Sequence, residues 1–149
     1  MEPIIRPVKN GDLATVHRLE ASSYTDPWPR SIFYLMKGRV PDLFLIAEMG
    51  STVVGYAIGE VERSGGEKIG HVMNIAVATD WRRKGLGGKL LDELERRFKE
   101  KDADSAYLEV RASNAPAQSL YRKRGYKEAG ILPGYYRDED GVAMEKPLR

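Results

Sequence analysis

Cysteine is absent from this 149-residue sequence, which excludes disulfides, cysteine-ligated metal sites and a covalent thiol nucleophile. Long apolar runs are also missing: none approaches the roughly 18 residues that would cross a bilayer, and no charged-then-apolar leader opens the chain. The expected location is therefore the cytoplasm, with no membrane partner. Charge of one sign is not in excess either. Lys and Arg number 24 against 22 Asp and Glu, leaving +2, so direct nucleic-acid binding is not expected and any basic patch is local. Solenoid repeats, low-complexity tracts and linker-like stretches do not occur. What remains is 42% hydrophobic residues, enough for one core, and residues 1–149 read as a single domain.

The periodicities alternate between those of strands and helices. Ile4 to Val8 reads as a short strand, and Asn10 reads as the N-cap of a helix through Leu13, Val16 and Leu19. Tyr24 to Pro29 is turn chemistry around two aromatics, followed by a helix through Ile32 to Met36 that Pro41 closes. Leu43 to Glu48 and Val53 to Val61 form a hairpin across Gly50 and Ser51, and Ser64, Gly65 and Gly66 make the next turn. Ile69 to Ala78 alternates, with His71, Met73, Ile75 and Val77 expected on one face and Gly70, Val72, Asn74 and Ala76 on the other. Leu86, Leu90, Leu91, Leu94 and Phe98 recur at helical spacing. Ser105 to Arg111 returns to strand alternation, with Tyr107, Glu109 and Arg111 sharing a face. Asn114 caps a helix carrying Gln118 and Tyr121, which Gly125 ends; two more strands flank a loop with Gly134, Tyr135 and Tyr136. This interleaving predicts an α/β (α+β) architecture.

Between the strand that ends near Ala78 and the helix that follows lie Arg82, Arg83, Lys84, Gly85, Leu86, Gly87 and Gly88. Gly85 and Gly87, lacking Cβ atoms, let an anion approach the main chain, and the helix N-terminus adds roughly half a positive charge. Two familiar phosphate loops fail on spacing at Leu90. A Walker loop needs Ser or Thr there, and the dinucleotide pattern needs glycine. The pattern left is R-x-x-G-x-G.

Arg82 to Gly87 thus resembles the R/Q-x-x-G-x-G/A signature of the GNAT acetyltransferase superfamily, in the same strand-to-helix setting. Downstream, Leu108-Glu109-Val110-Arg111-Ala112-Ser113-Asn114, then Leu120-Tyr121 and Gly125-Tyr126, resembles the RimI group of protein N-terminal acetyltransferases. The resemblance spans nearly the whole chain. It implies a mixed, mostly antiparallel sheet of about seven strands with about four helices on both faces and splayed central strands. It also implies acetyl-CoA as donor, bound at Arg82 to Gly88 and near Asn114. No metal is expected. Protein N-termini are the implied acceptors, a ribosomal protein among them.

Acetyl transfer to an amine needs a neutral nucleophile, a stabilised oxyanion and a protonated thiolate. The resemblance makes Glu109 the general base, although a free glutamate near pKa 4.3 is poorly matched to an amine, so a raised pKa or a water relay is expected. An ion pair with Arg111 is the competing structural reading. Tyr121 is the implied general acid, and packing beside Leu120 is its alternative. His71 occupies a strand position where related enzymes often carry a catalytic or water-holding residue; a hydrogen-bonded structural histidine is the alternative. His17 reads as structural. Main-chain N–H groups around Ile75, Ala76 and Val77 are implied for the thioester oxygen. Trp28, Tyr135 and Tyr136 are implied to border the acceptor entrance. A GNAT enzyme for a small amine or lysine side chain, or a non-catalytic acyl-CoA-binding module, would share the phosphate loop. Only Asp26 in the early loop is acidic, and polycations would call for more.

Overall fold

A computed structural model describes residues 2–149. The strands are β1 (Ile4–Pro7), β2 (Phe44–Met49), β3 (Thr52–Ser64), β4 (Glu67–Val77), β5 (Ser105–Arg111), β6 (Lys127–Tyr136) and β7 (Glu139–Pro147). The helices are α1 (Leu13–Ser23), α2 (Arg30–Arg39), α3 (Leu86–Glu100) and α4 (Ala115–Lys123). One seven-stranded sheet runs β1-β2-β3-β4-β5-β7-β6. Every pairing is antiparallel except β4 with β5, which is the mixed sheet the sequence implied.

Cross-strand packing shows which face each helix covers. A Cβ at Gly59 or Gly70 would lie 2.6 or 2.3 Å from the Phe98 ring, so these two residues leave the notch that lets α3 dock closely on β3 and β4. Gly55 faces Leu90 of the same helix. Between those glycines Tyr56 points the opposite way, against Phe33 of α2 at 5.9 Å. Helices α1 and α2 therefore cover one face. Helix α4 joins α3 on the other, with Leu120 against Gly87 and Arg124 paired to Asp92.

The smooth alternation expected along β4 is broken. Ile58 pairs with Asn74, but the next β3 residue, Gly59, pairs with Val72, leaving Met73 as a bulge. One extra residue inverts the face of everything beyond it. Gly70 and Val72 face α3, whereas Asn74 reaches Glu20 on α1. His71 and Asn74 consequently share a face, contrary to the sequence expectation.

Three boundaries also differ. Asn10 does not cap α1: it lies in a 3-10 turn, Asn10–Asp12. The Asp12 carboxylate accepts from the Lys9 N–H at 2.7 Å and pairs with Arg6 at 2.8 Å, closing that turn rather than bonding to the first N–H groups of α1. Ser64 belongs to β3 rather than to the turn. Gly134, Tyr135 and Tyr136 end strand β6 rather than forming a loop, although pairing with β7 lapses between Leu132 and Tyr136.

Candidate active site

The site begins where two strands part. β4 and β5 pair only at Ile69–Ser105, Gly70–Ala106 and His71–Tyr107, and beyond these residues their pairing stops. Ala78 donates its N–H to Val54 of β3, so by strand alternation the main-chain groups of Ala76 also face β3 and those of Ile75 and Val77 face the opening. Two contacts bear this out: the Ile75 carbonyl accepts from the Tyr24 hydroxyl at 2.5 Å, and the Val77 carbonyl accepts from Arg82 Nε at 2.9 Å. The N–H groups of Ile75 and Val77 point to the same side. Ala76 has its main chain turned away from the opening.

The loop after β4 has the form of an anion cradle. A 3-10 turn, Thr79–Trp81, leads into Arg82, and Arg83 and Gly85 then adopt left-handed φ values of 62° and 79°. Such residues turn successive N–H groups into one concavity. Gly85 is the N-cap of α3, and the first helical bond runs from Lys89 N–H to its carbonyl. The N–H groups of Leu86, Gly87 and Gly88 therefore lack partners within the helix. The individual residues divide. Arg83 and Lys84 are exposed, and the Leu86 side chain is buried in the core. Gly88 lies against the Arg124 guanidinium, 2.0 Å from where a Cβ would be. Arg82 turns back to Val77 and Ser23, joining the end of α1 to the rim of the opening.

On the α1 face, Glu109 sits two residues past the last paired position of β5. His71 Nε2 is 2.7 Å from its Oε1, while Arg111 pairs instead with Asp138 and Glu139 and lies 4.5 Å from the Tyr136 ring. The ion-pair reading of Glu109 is thereby replaced by a histidine contact. His71 Nδ1 lies 3.1 Å from Glu62. Burial opposes protonation of His71, but hydrogen bonds and charge from Glu109 and Glu62 outweigh it and raise the pKa. Tyr107 packs 5.6 Å from the His71 ring, its phenol pushed up to about 12 by burial and by the Glu109 charge.

Tyr121 lies on α4. It is buried against Tyr126, and burial pushes its phenol up, so it remains protonated at neutral pH. Asn114 caps α4, its Oδ1 accepting from Ala117 N–H at 3.2 Å. Tyr135 and Tyr136 stack edge to face at 5.0 Å; Tyr135 is 52% exposed. Trp28 is half-buried, its ring 5.6 Å from Phe33 and its main-chain N–H donating to Glu20. His17 stacks edge-on against Phe33.

Glu20 was missed by sequence reasoning. It is 1% exposed and accepts from Tyr56 hydroxyl, Asn74 Nδ2 at 2.6 Å and Trp28 N–H at 2.8 Å. The available signal was its place on the helical stripe of Leu13 and Val16, where a carboxylate is out of character. Glu62 gave no such signal, because its relation to His71 depends on the bulge.

An anion cradle at a helix N-terminus, beside parted strands and a carboxylate-histidine pair, suits an acyltransferase that uses a phosphate-bearing thioester. Residues 13–126 match the Acetyltransferase (GNAT) family. An N-alpha-acetyltransferase of Sulfurisphaera tokodaii is 34% identical over 97% of this chain and 92% of its own. A ribosomal protein bS18-alanine N-acetyltransferase of Escherichia coli is 32% identical over 97% of both. The crystal structure of Chaetomium thermophilum Naa20 in complex with a bisubstrate analogue superposes with a TM-score of 0.89, at 26% identity, covering 97% of this chain and 86% of that one. The chain belongs to the GNAT acetyltransferase family, and acetyl-CoA is its acetyl donor. Among the described residues, no helix is long and apolar enough to cross a membrane.

Proposed function

We propose that this enzyme acetylates the N-terminal α-amine of proteins in the cytoplasm, by direct attack within a ternary complex. The observation that carries the reading is the placement of Glu109, held by His71, at the edge of the β4–β5 opening that the tyrosines of β6 border. The names of the relatives support an α-amine acceptor, and a ribosomal protein N-terminus is one candidate. An α-amine titrates near 8 and lysine near about 10.4, so the former reaches the neutral form far more often at physiological pH.

Glu109 takes a proton from the acceptor amine. The N–H groups of Ile75 and Val77 receive the developing oxyanion. Tyr121, protonated through the working pH range, donates to the departing sulfur, whose free thiol has a pKa comparable to the roughly 8.5 of cysteine. Main-chain groups from Arg83 to Gly88 hold the diphosphate, with Arg82 bracing the rim and Asn114 beside the pantetheine arm. Tyr24, Tyr135 and Tyr136 line the acceptor approach, and Trp28 stiffens the turn behind it.

Incubation with acetyl-CoA and peptides of varied first residue, beside an N-terminally blocked lysine peptide and spermidine, tests the reading. Acetylation of free peptide N-termini is expected. Modification confined to spermidine or to the lysine side chain would overturn it.

A further inference from the structure

Acetylating an ammonium-form acceptor forms one C–N bond and breaks one C–S bond. R–NH3+ and the thioester give R–NH–CO–CH3, a thiol and one free proton. Two protons leave the nitrogen; one ends on the sulfur, and the other must reach solvent from a site that a bound peptide covers. Glu109 is poorly placed to release it directly, since its side chain is only 16% exposed.

The geometry points to a proton outlet in which the proton taken up at Glu109 passes through the His71 imidazole to Glu62 and from there to bulk water. The inference rests on the reading of Glu109 as the base. The distances are continuous: Glu109 Oε1 to His71 Nε2 is 2.7 Å, and His71 Nδ1 to Glu62 Oε1 is 3.1 Å. Exposure rises outward, from 16% at Glu109 and 19% at His71 to 48% at Glu62. Both ring nitrogens are used, one by each carboxylate, an arrangement that holds the ring and provides an entry and an exit.

Each transfer balances. Protonated Glu109 gives its proton to Nε2, producing an imidazolium flanked by two carboxylates; Nδ1 then gives its proton to Glu62, and Glu62 gives it to water. His71 is left protonated at Nε2. Between turnovers the ring reorients about its Cα–Cβ and Cβ–Cγ bonds so that a protonated nitrogen again faces Glu62, and one proton per turnover has passed outward.

The surroundings favour a cationic intermediate. On β3, Glu60 is register partner to His71, but its carboxylate is taken by Arg39 of α2 at 2.5 Å, leaving Glu62 as the free acid on that strand. On β5 the neighbours are Glu109 and the neutral Tyr107. Glu145 of β7 is register partner to Tyr107 and to Lys127 of β6, and burial, then the nearby Glu109 charge, raises the phenol pKa of Tyr135 on β6. The only cationic side chains in this set are Arg39 of α2, paired with Glu60, and Lys127 of β6, in register with Glu145.

The test compares the wild-type enzyme with Glu62→Gln across pH, using the best acceptor found for the wild type, in weak buffer and with rising imidazole. Glu62→Gln should lower kcat about tenfold in weak buffer with KM for acetyl-CoA within about twofold of wild type. Imidazole should restore kcat saturably. The acidic limb of the kcat profile should move to lower pH, because His71 loses one neighbouring negative charge. Wild-type kcat in weak buffer, or a loss that imidazole does not restore, overturns the outlet. A wild-type enzyme that acetylates only a small amine overturns the acceptor reading and leaves this test intact; Glu109→Gln turning over like wild type removes the base and overturns the outlet while leaving the acceptor reading standing.

Discussion

The Tyr24 hydroxyl donates to the Ile75 carbonyl at 2.5 Å, fixing the residue that ends α1 to the strand edge bordering the opening. The turn after α1 and the β4 main chain at the opening are thus one mechanical unit. Burial pushes the Tyr24 phenol up, so it stays a donor across the working range.

Tyr24→Phe should leave acetyl-CoA binding unchanged by calorimetry while lowering kcat roughly tenfold, because the Ile75 carbonyl loses its partner and the adjacent N–H loses its fixed direction. Unchanged kcat would show that the strand holds its own course.

Glu109→Gln should lower kcat by about 10²-fold or more with acetyl-CoA affinity retained, as loss of a general base requires. Tyr121→Phe should act on kcat in the same direction. Normal turnover in both variants would remove their assigned roles.

Glu20→Ala should destabilise the fold by about 3 kcal/mol, since Tyr56, Asn74 and the Trp28 N–H each lose a buried acceptor at roughly 1 kcal/mol or more. Glu20→Gln keeps an acceptor oxygen and should cost less. Urea unfolding measures both, and equal midpoints for the wild type and Glu20→Ala would contradict the network.

The raised pKa of His71 has a definite sign in stability. A histidine that binds its proton more tightly folded than unfolded adds stability that is complete below the unfolded value near 6.5 and disappears as pH rises through the folded value. Denaturation of wild type against His71→Asn should show the gap between them narrowing from pH 5.5 to pH 9. A gap that widens would reverse the assignment.

Gly70→Ala puts a methyl where the Phe98 ring lies, 2.3 Å away at its nearest atom, and should cost about 1–3 kcal/mol as overpacking. Adding Phe98→Leu should recover part of that loss. Additive penalties in the double variant would show that the two residues do not meet.

The turn from Arg82 to Gly88 into α3 was legible because it lies in local chemistry. Glycine is the residue that takes Gly85's φ of 79° without steric cost, and a helical run at Leu86, Leu90 and Leu91 fixes where the N-terminus falls. Glu109 and Tyr121 were singled out through resemblance, and strand alternation placed Glu109 on the face of Tyr107 and Arg111. Its partner was not legible: sequence distance favoured Arg111, two residues away, whereas His71 is 38 residues away.

The sequence by itself determined most of the helices and strands and where the glycine turn meets the start of α3, since both depend on periodicity and on residues within one turn of each other. Tertiary structure decided the chemistry around Glu109. The bulge at Met73 depends on how β4 is paired with β3, and that single unpaired residue puts His71 on the same face as Asn74, between Glu62 and Glu109. Glu20 likewise became a buried hub only when α1 met β3 and β4. Pairing register and helix docking sum contacts from distant parts of the chain, so no local pattern records them.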